Sequence, residues 1–151
     1  MIGRITIIEL VEMNIRYFIC LFILVISSGT EAQVTGYWKS TDHIDDTEKS
    51  IVHIYEENGT LIGKVIKLLP AATVTHCTGC KDDLKNKPLE GMIIMSDFTI
   101  TKNGGKSGKI LDPSNGKYYS CDIKLVSPDR LKVNGYMGVP WLGKTMYWNR
   151  Q

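Results

Sequence analysis

The sequence beyond residue 32 predicts an all-β domain, an eight-stranded antiparallel up-and-down barrel, with a β-sandwich as the alternative. Apolar and polar residues alternate in steps of two, and no segment keeps an apolar period of 3.6 over three helical turns. Turns rich in glycine, proline and asparagine separate eight short segments of this kind. A barrel is favoured because a closed sheet leaves no edge strand exposed.

The composition suits one globular domain. The chain has 151 residues, of which 43% are hydrophobic and 23% charged, and its formal net charge is +2. These values exclude intrinsic disorder, collagen and a multi-pass membrane protein, and the length suits a single domain of about 100–200 residues. The charge is too small and too evenly distributed to predict a nucleic-acid partner.

The N-terminal segment has the pattern of a secretory signal peptide. Arg16 precedes the apolar run Tyr17–Ile26, and small residues follow as far as Ala32. The run is too short for a membrane-spanning helix, which needs roughly 20 apolar residues. We therefore predict a signal peptide over residues 1–32, cleaved after Ala32 or alternatively after Gly29, and no transmembrane anchor once it is removed.

Met13 makes a better start for such a peptide than Met1, because Glu9 and Glu12 are unusual in its positively charged flank. Translation is therefore expected to begin at Met13. A single domain over residues 33–151 remains after cleavage. Cys20 is lost with the leader, so an even set of cysteines becomes an odd one.

The first half of the domain supplies four predicted strands. The second is rich in β-branched and aromatic residues, and Asn58-Gly59 after it is a strong hairpin signal because both positions of such a turn need positive φ. The fourth strand follows a long connection, Pro70 to Pro88, which carries two cysteines. The four strands are Thr35–Thr41, Ser50–Glu57, Thr60–Leu69 and Met92–Thr101.

The second half supplies the other four. Gly104-Gly105 is predicted to be a loop tip before the fifth strand. Asp112–Gly116 and Ser127–Asp129 have turn composition, and the segments between and after them alternate apolar with polar residues. The four strands are Lys109–Asp112, Lys117–Val126, Arg130–Gly138 and Lys144–Arg150.

The two ends of the domain resemble the closure of the calycin barrels, which include the lipocalins and fatty-acid-binding proteins. Gly36-Tyr37-Trp38 lies on the first predicted strand and Arg150 on the last. In those barrels the tryptophan packs under the barrel and a basic side chain from the last strand lies across its ring. A guanidinium suits this place because it stacks on an aromatic face and keeps its hydrogen bonds. The resemblance implies that Gly36, Trp38 and Arg150 close one end.

A longer series of motifs resembles the bacterial secreted family known as domain of unknown function 2147, whose members resemble lipocalin-like barrels. The resemblance covers essentially the whole domain. It implies a barrel and a location in the bacterial periplasm, in the cell envelope or outside the cell, and it implies no particular activity. The motifs are Gly36–Lys39, Asn58–Val65, Cys77–Cys80, Lys87–Met92, Gly108–Pro113, Asn115–Tyr119, Val133–Gly138 and Trp148–Arg150.

The cysteines of the long connection allow three interpretations. The first is a structural disulfide between Cys77 and Cys80. The second is a zinc site of His76, Cys77, Cys80 and Cys121, which has the right number of ligands. The third is a redox pair, which is disfavoured because an all-β chain offers no helix N-terminus to lower a thiol pKa. Cys121 lies on an apolar strand face, so we predict a Cys77–Cys80 disulfide and a buried, free Cys121.

A lipocalin-like barrel predicts a non-enzymatic protein that binds a small apolar or amphipathic ligand, such as a lipid. The alternative is a structural or interaction protein with a filled barrel, whose apolar segment Tyr136–Leu142 contacts a partner in the envelope. A third is a thiol–disulfide or zinc protein. No catalytic residue, cofactor or nucleic-acid partner is predicted, and the sequence specifies neither the ligand nor the oligomeric state. Strand phase selects four candidate residues of the barrel lumen, Tyr55, Tyr119, Met137 and Met146.

Overall fold

The computed structural model describes residues 33–42 and 44–151, and these form strands joined by turns. The predicted signal peptide and the start at Met13 lie outside the described residues. Two short 3₁₀ turns, Asp82–Leu84 and Pro140–Leu142, interrupt the connections, and no helix in the described ranges is long and apolar enough to cross a membrane. The strands are β1 (Gly36–Thr41), β2 (Glu48–Glu57), β3 (Thr60–Leu68), β4 (Ile93–Ser96), β5 (Thr99–Thr101), β6 (Gly104–Asp112), β7 (Lys117–Ser127), β8 (Arg130–Tyr136) and β9 (Lys144–Arg150).

The strands form a closed antiparallel barrel. Their order is β4-β3-β2-β1-β9-β8-β7-β6, and β4 pairs again with β6, so eight strands complete the ring. The closing pairs are Met95 with Ile110 and Ser96 with Lys109. The short strand β5 pairs with the other end of β6. The predicted eight-stranded barrel is therefore confirmed, and the sandwich alternative is wrong.

The predicted fourth and fifth strands differ from the observed ones. The fourth breaks between β4 and β5 because Asp97 adopts a positive φ of 62°. Gly104-Gly105 is not a loop tip but the start of β6, where Gly105 pairs with Ile123. A side chain at Gly105 would meet the ring of Phe98 at 2.9 Å, so the missing side chain makes room for a buried aromatic ring.

The core occupies the inward faces around the whole barrel, with buried residues such as Val65 on β3, Met95 on β4 and Ile123 on β7. Trp38 pairs with Val52 on β2 and with Arg150 on β9. The orientation of this one residue on β1 therefore determines which residues of the two neighbouring strands face inward. Side chains two residues apart share a face of a strand. The strand pairing therefore assigns the inward residues of β1, β2 and β8 from Trp38, and the fully buried ones are Trp38, Val52, Ile54, Leu131 and Val133.

Trp38 and Arg150 close one end of the barrel. The indole of Trp38 is fully buried, and its Nε1 donates a hydrogen bond to the carbonyl of Val34 at 2.8 Å. The guanidinium of Arg150 lies over this ring, 4.1 Å from its centre. The stacked guanidinium separates the apolar core from solvent at this end.

Three backbone carbonyls hold that guanidinium in place. Arg150 donates from Nη2 to Gln33 at 2.7 Å, from Nη1 to Thr35 at 3.2 Å and from Nε to Pro128 at 2.8 Å. Gly36 lies beneath it with φ of 131°, and a β-carbon there would come within 2.7 Å of Nη1. A glycine is required at this position because both the backbone angle and the space exclude a side chain.

Replacing Arg150 tests this closure. We expect Arg150→Ala to lower the free energy of unfolding by about 2 kcal/mol, because it removes three hydrogen bonds and the ring contact. Arg130→Ala is the matched control, since Arg130 also lies over a ring, 4.6 Å from the centre of Tyr147 on the surface. That control should cost about 0.5 kcal/mol. Equal losses of stability in urea titrations of the two variants would show that Arg150 does not close the barrel.

Candidate functional site

A cavity of about 540 Å³ enters the barrel from the end away from Arg150. Trp38 and Arg150 face each other across β1 and β9, and the floor of the cavity is formed by the next inward residues on these strands, Ser40 and Trp148. The mouth lies near the start of β9. A pocket of roughly 300–1,000 Å³ with apolar walls is typical of small-molecule sites. The walls are mainly apolar and include Val65, Leu68, Leu89, Ile94, Leu111 and Met146.

Of the residues predicted to line the lumen, the structure places Tyr119, Met137 and Met146 in the cavity wall. Tyr55 lies elsewhere, and its predicted position is wrong. Its ring packs against His53 at 5.1 Å, and His53 in turn stacks on the half-exposed Tyr37 at 4.4 Å. These rings lie on the outer face, because β2 turns Ser50, Val52 and Ile54 inward to meet Trp38.

Three residues whose side chains can form hydrogen bonds make up the floor of the cavity, and none of them is among the lumen residues predicted from the sequence. Ser40 and Ser50 pair across β1 and β2, and their hydroxyl oxygens are 2.6 Å apart. Trp148 on β9 completes the floor and is almost fully buried. The sequence could have indicated the two serines, because side chains two residues apart on a strand share a face. Ser40 lies two residues after Trp38, and Ser50 lies two residues before Val52. Polar side chains at inward positions indicate a site rather than a packed core.

The mouth carries an exposed apolar segment. Met137 is 66% exposed, Trp141 80% and Leu142 75%, and the first and last of these also line the cavity. Asn134 supports the 3₁₀ turn here by donating from Nδ2 to the carbonyl of Pro140 at 3.1 Å. Tyr136, which the sequence placed in the same exposed segment, is buried.

The cysteines are arranged as predicted. Cys77 and Cys80 form a disulfide, and Cys121 is free and buried on β7. Burial, and secondarily the carboxylate of Asp122, raises the pKa of the Cys121 thiol, which keeps it protonated and unreactive. The disulfide favours the first interpretation over the zinc site, because the sulfurs of Cys77 and Cys80 are bonded to each other. Across the described ranges, no three histidine, cysteine or acidic residues are grouped to hold a metal.

The part of the long connection that carries the disulfide packs against the turn between β6 and β7. The amide of Cys77 donates to the carbonyl of Lys87 at 2.9 Å, and the amide of Gly79 donates to that of Pro113 at 3.4 Å. Gly79 and Gly116 approach so closely that a side chain on either would overlap the backbone of the other segment. This contact shapes the mouth, since Pro113 and neighbouring residues of both segments line the cavity.

Comparison with solved structures supports the same architecture. The Helicobacter pylori protein HP1028, whose title states that it belongs to the lipocalin family, superposes with a TM-score of 0.69. The alignment covers 80% of this chain and 84% of that one, at 22% sequence identity. Identity at this level shows a shared fold and nothing about function. No curated protein matches the chain by sequence.

A family model described as "uncharacterized protein conserved in bacteria (DUF2147)" matches residues 36–150. The match begins at Gly36 and ends at Arg150, the two residues that meet at the closed end of the barrel. It therefore spans every strand of the structure, and the chain belongs to the DUF2147 family of bacterial proteins.

Proposed function

We propose that the protein binds a small apolar or amphipathic molecule in the barrel cavity and is not an enzyme. The observation that carries this proposal is the cavity itself, about 540 Å³ with mainly apolar walls and an open mouth. Such a volume suits a ligand of drug or lipid-fragment size. Apolar walls favour the transfer of an alkyl chain from water by about 25 cal/mol per Å² of buried surface.

Two features favour binding over the alternatives. An eight-stranded barrel can be filled by its own side chains, but here a cavity remains, which favours a bound ligand over the filled-barrel alternative. A thiol–disulfide enzyme needs an accessible, reactive thiol. Cys77 and Cys80 are both buried and joined to each other, and the remaining thiol of Cys121 is also buried.

We further infer that the protein is exported. Disulfides persist in oxidising compartments such as the periplasm and are rare in the cytosol, so the Cys77–Cys80 bond supports the predicted signal peptide. Cleavage after Ala32 would retain Gln33, whose carbonyl accepts a hydrogen bond from Arg150 at the barrel closure.

A second candidate function, contact with another envelope protein, is favoured by the exposed Met137, Trp141 and Leu142. Apolar side chains grouped on a surface often mark interaction sites. Because Met137 and Leu142 line one side of the cavity mouth, a partner contact here is compatible with a bound ligand inside the barrel.

Filling the cavity tests the binding function. Gly135 lines the cavity on β8, and a β-carbon there would contact only Ile110, at 3.5 Å. We expect Gly135→Leu to weaken binding of a fluorescent fatty-acid probe at least tenfold, because the new side chain occupies the lumen. Lys132→Leu is the matched control, since it places the same side chain on the outer face of β8 and should leave binding unchanged. Undiminished binding by a folded Gly135→Leu protein would contradict the proposal.

Export is tested by native mass spectrometry of the protein purified from the envelope fraction of a bacterium that makes it. We expect a chain that begins at Gln33, with one disulfide and one free thiol, because Cys121 has no partner and Cys20 has left with the leader. A chain that begins at Met1 or Met13, or that contains three free thiols, would contradict the inference. The same spectrum records any small molecule that remains bound.

Photo-cross-linking tests the second candidate. A cross-linking amino acid at position 141 should yield a discrete adduct in intact cells, because Trp141 is exposed beside the mouth. The matched control is position 44, where Ile44 is 82% exposed in a loop. Adducts that are absent at 141, or equal at 141 and 44, would exclude a specific partner at this segment.

A further inference from the structure

The floor of the cavity carries a hydrogen-bond donor that the described residues leave unsatisfied. The indole of Trp148 is only 2% exposed, and its Nε1 has no acceptor anywhere in the described part of the chain. The indole of Trp38, at the closed end, donates to the carbonyl of Val34. A buried donor without a partner costs about 1–3 kcal/mol. The cost is recovered when a ligand supplies an acceptor.

Trp148 belongs to the inward face of β9. It shares its strand phase with Met146, which lines the cavity above it, and with Arg150 at the closed end. It pairs with Leu131, a fully buried core residue on β8. Since Trp148 also lines the cavity, the unpartnered donor belongs to the site proposed for the ligand.

Two hydroxyl groups lie in the same row of the barrel. β1 and β9 pair Trp38 with Arg150 and Lys39 with Asn149, so the next position places Ser40 beside Trp148. The bond from Thr41 Oγ1 to the carbonyl of Tyr147, at 3.0 Å, shows that this register continues. Ser40 in turn pairs with Ser50 on β2. Neighbouring strands are about 5 Å apart, so the row spans three strands over a short distance.

The row has two donors for a ligand, the indole of Trp148 and one serine hydroxyl, although the hydroxyl oxygens can also accept. An indole nitrogen can only donate. The bond between the Ser40 and Ser50 hydroxyls uses one of their two protons, which leaves the other for a ligand. A matching ligand therefore presents an oxygen atom that accepts these hydrogen bonds at the floor of the cavity.

Two described lysines, Lys49 and Lys144, line the same cavity, but neither belongs to the row of Ser40, Ser50 and Trp148. The guanidinium of Arg150 donates to three backbone carbonyls at the closed end. Lys49 precedes Ser50 on β2 and therefore has the opposite strand phase. Lys144 is the first residue of β9 and lies near the mouth, away from Trp148. A carboxylate bound at the floor would be buried with no cation in its own row, which is costly.

We propose that Trp148, with Ser40 and Ser50, binds the uncharged oxygen-bearing head of an amphipathic ligand, such as an ester carbonyl, and that the alkyl chain extends toward the mouth. This subsite rests on the proposed binding function and adds the chemical class of the ligand. The order of preference follows from the contacts: an ester satisfies the indole donor, an alkane leaves it unsatisfied, and a carboxylate satisfies it at the cost of a buried charge.

The ligand preference is tested by the affinities of methyl decanoate, decane and decanoate, measured by displacement of a fluorescent probe from the full barrel. We expect methyl decanoate to bind more tightly than both others. Trp148→Phe should reduce the ratio of ester to alkane affinity about threefold to tenfold, the effect of one hydrogen bond. The ratio cancels any change in packing that the smaller ring causes. Trp141→Phe, at the exposed tryptophan, should leave the ratio unchanged.

The indole resonances of the unaltered protein provide a second readout that needs no variant in the core. In spectra of ¹⁵N-labelled protein, methyl decanoate should shift the Trp148 indole proton downfield, because a hydrogen bond deshields it. Decane should cause a smaller shift, and the Trp38 indole, already bonded to Val34, should move little with either ligand.

The outcomes separate the subsite from the binding function. If all three ligands bind with equal affinity and Trp148→Phe changes nothing, the subsite is wrong and the binding function stands. If decanoate binds most tightly, the uncharged head is wrong. If none of the three binds and the indole resonances are unmoved, both the binding function and the subsite are overturned.

Discussion

The stacking of Arg150 on Trp38 is the contact on which the remainder of the barrel depends. It joins the first strand to the last, and closure of the sheet satisfies backbone groups that an open edge would expose. It also determines strand phase. Once Trp38 points inward, the inward residues of β2 and β9 follow from their pairing with it, and so does the position of Ser40, Ser50 and Trp148 in the cavity floor.

The two ends of the barrel are therefore built differently. The closed end satisfies its polar groups internally, since the Trp38 indole and the Arg150 guanidinium both donate to backbone carbonyls. At the open end, the close contact of Gly79 with Gly116 joins the long connection to the turn between β6 and β7, and both segments line the cavity. Between them the Trp148 indole remains unsatisfied among the described residues. Full satisfaction at one end and a free donor in the cavity together favour a binding site over a packing defect.

Much of the barrel could be predicted from the sequence, because most of its strands and turns are marked by short patterns of residues. Alternation in β7, the Asn58-Gly59 turn and the paired motifs at Gly36 and Arg150 depend on residues close in sequence or on a known pattern. Tyr55 was misplaced because β2 is apolar at 51 and 52 and again at 54 and 55, so its own sequence does not select a phase. The loop predicted at Gly104-Gly105 was wrong for a related reason, since glycine signals a turn but here accommodates the ring of Phe98.

By itself, the sequence determined the all-β class, the short strands, the closing residues and the likeness to a bacterial barrel family. It also indicated the pairing of Cys77 with Cys80, which lie only three positions apart. Only the tertiary structure decided that the barrel keeps a cavity and that Trp148 lies unpartnered in its floor. The physical reason is that cavity volume and hydrogen-bond satisfaction depend on side chains from several strands meeting at one place. Such meetings arise from register and closure, which are properties of the whole sheet.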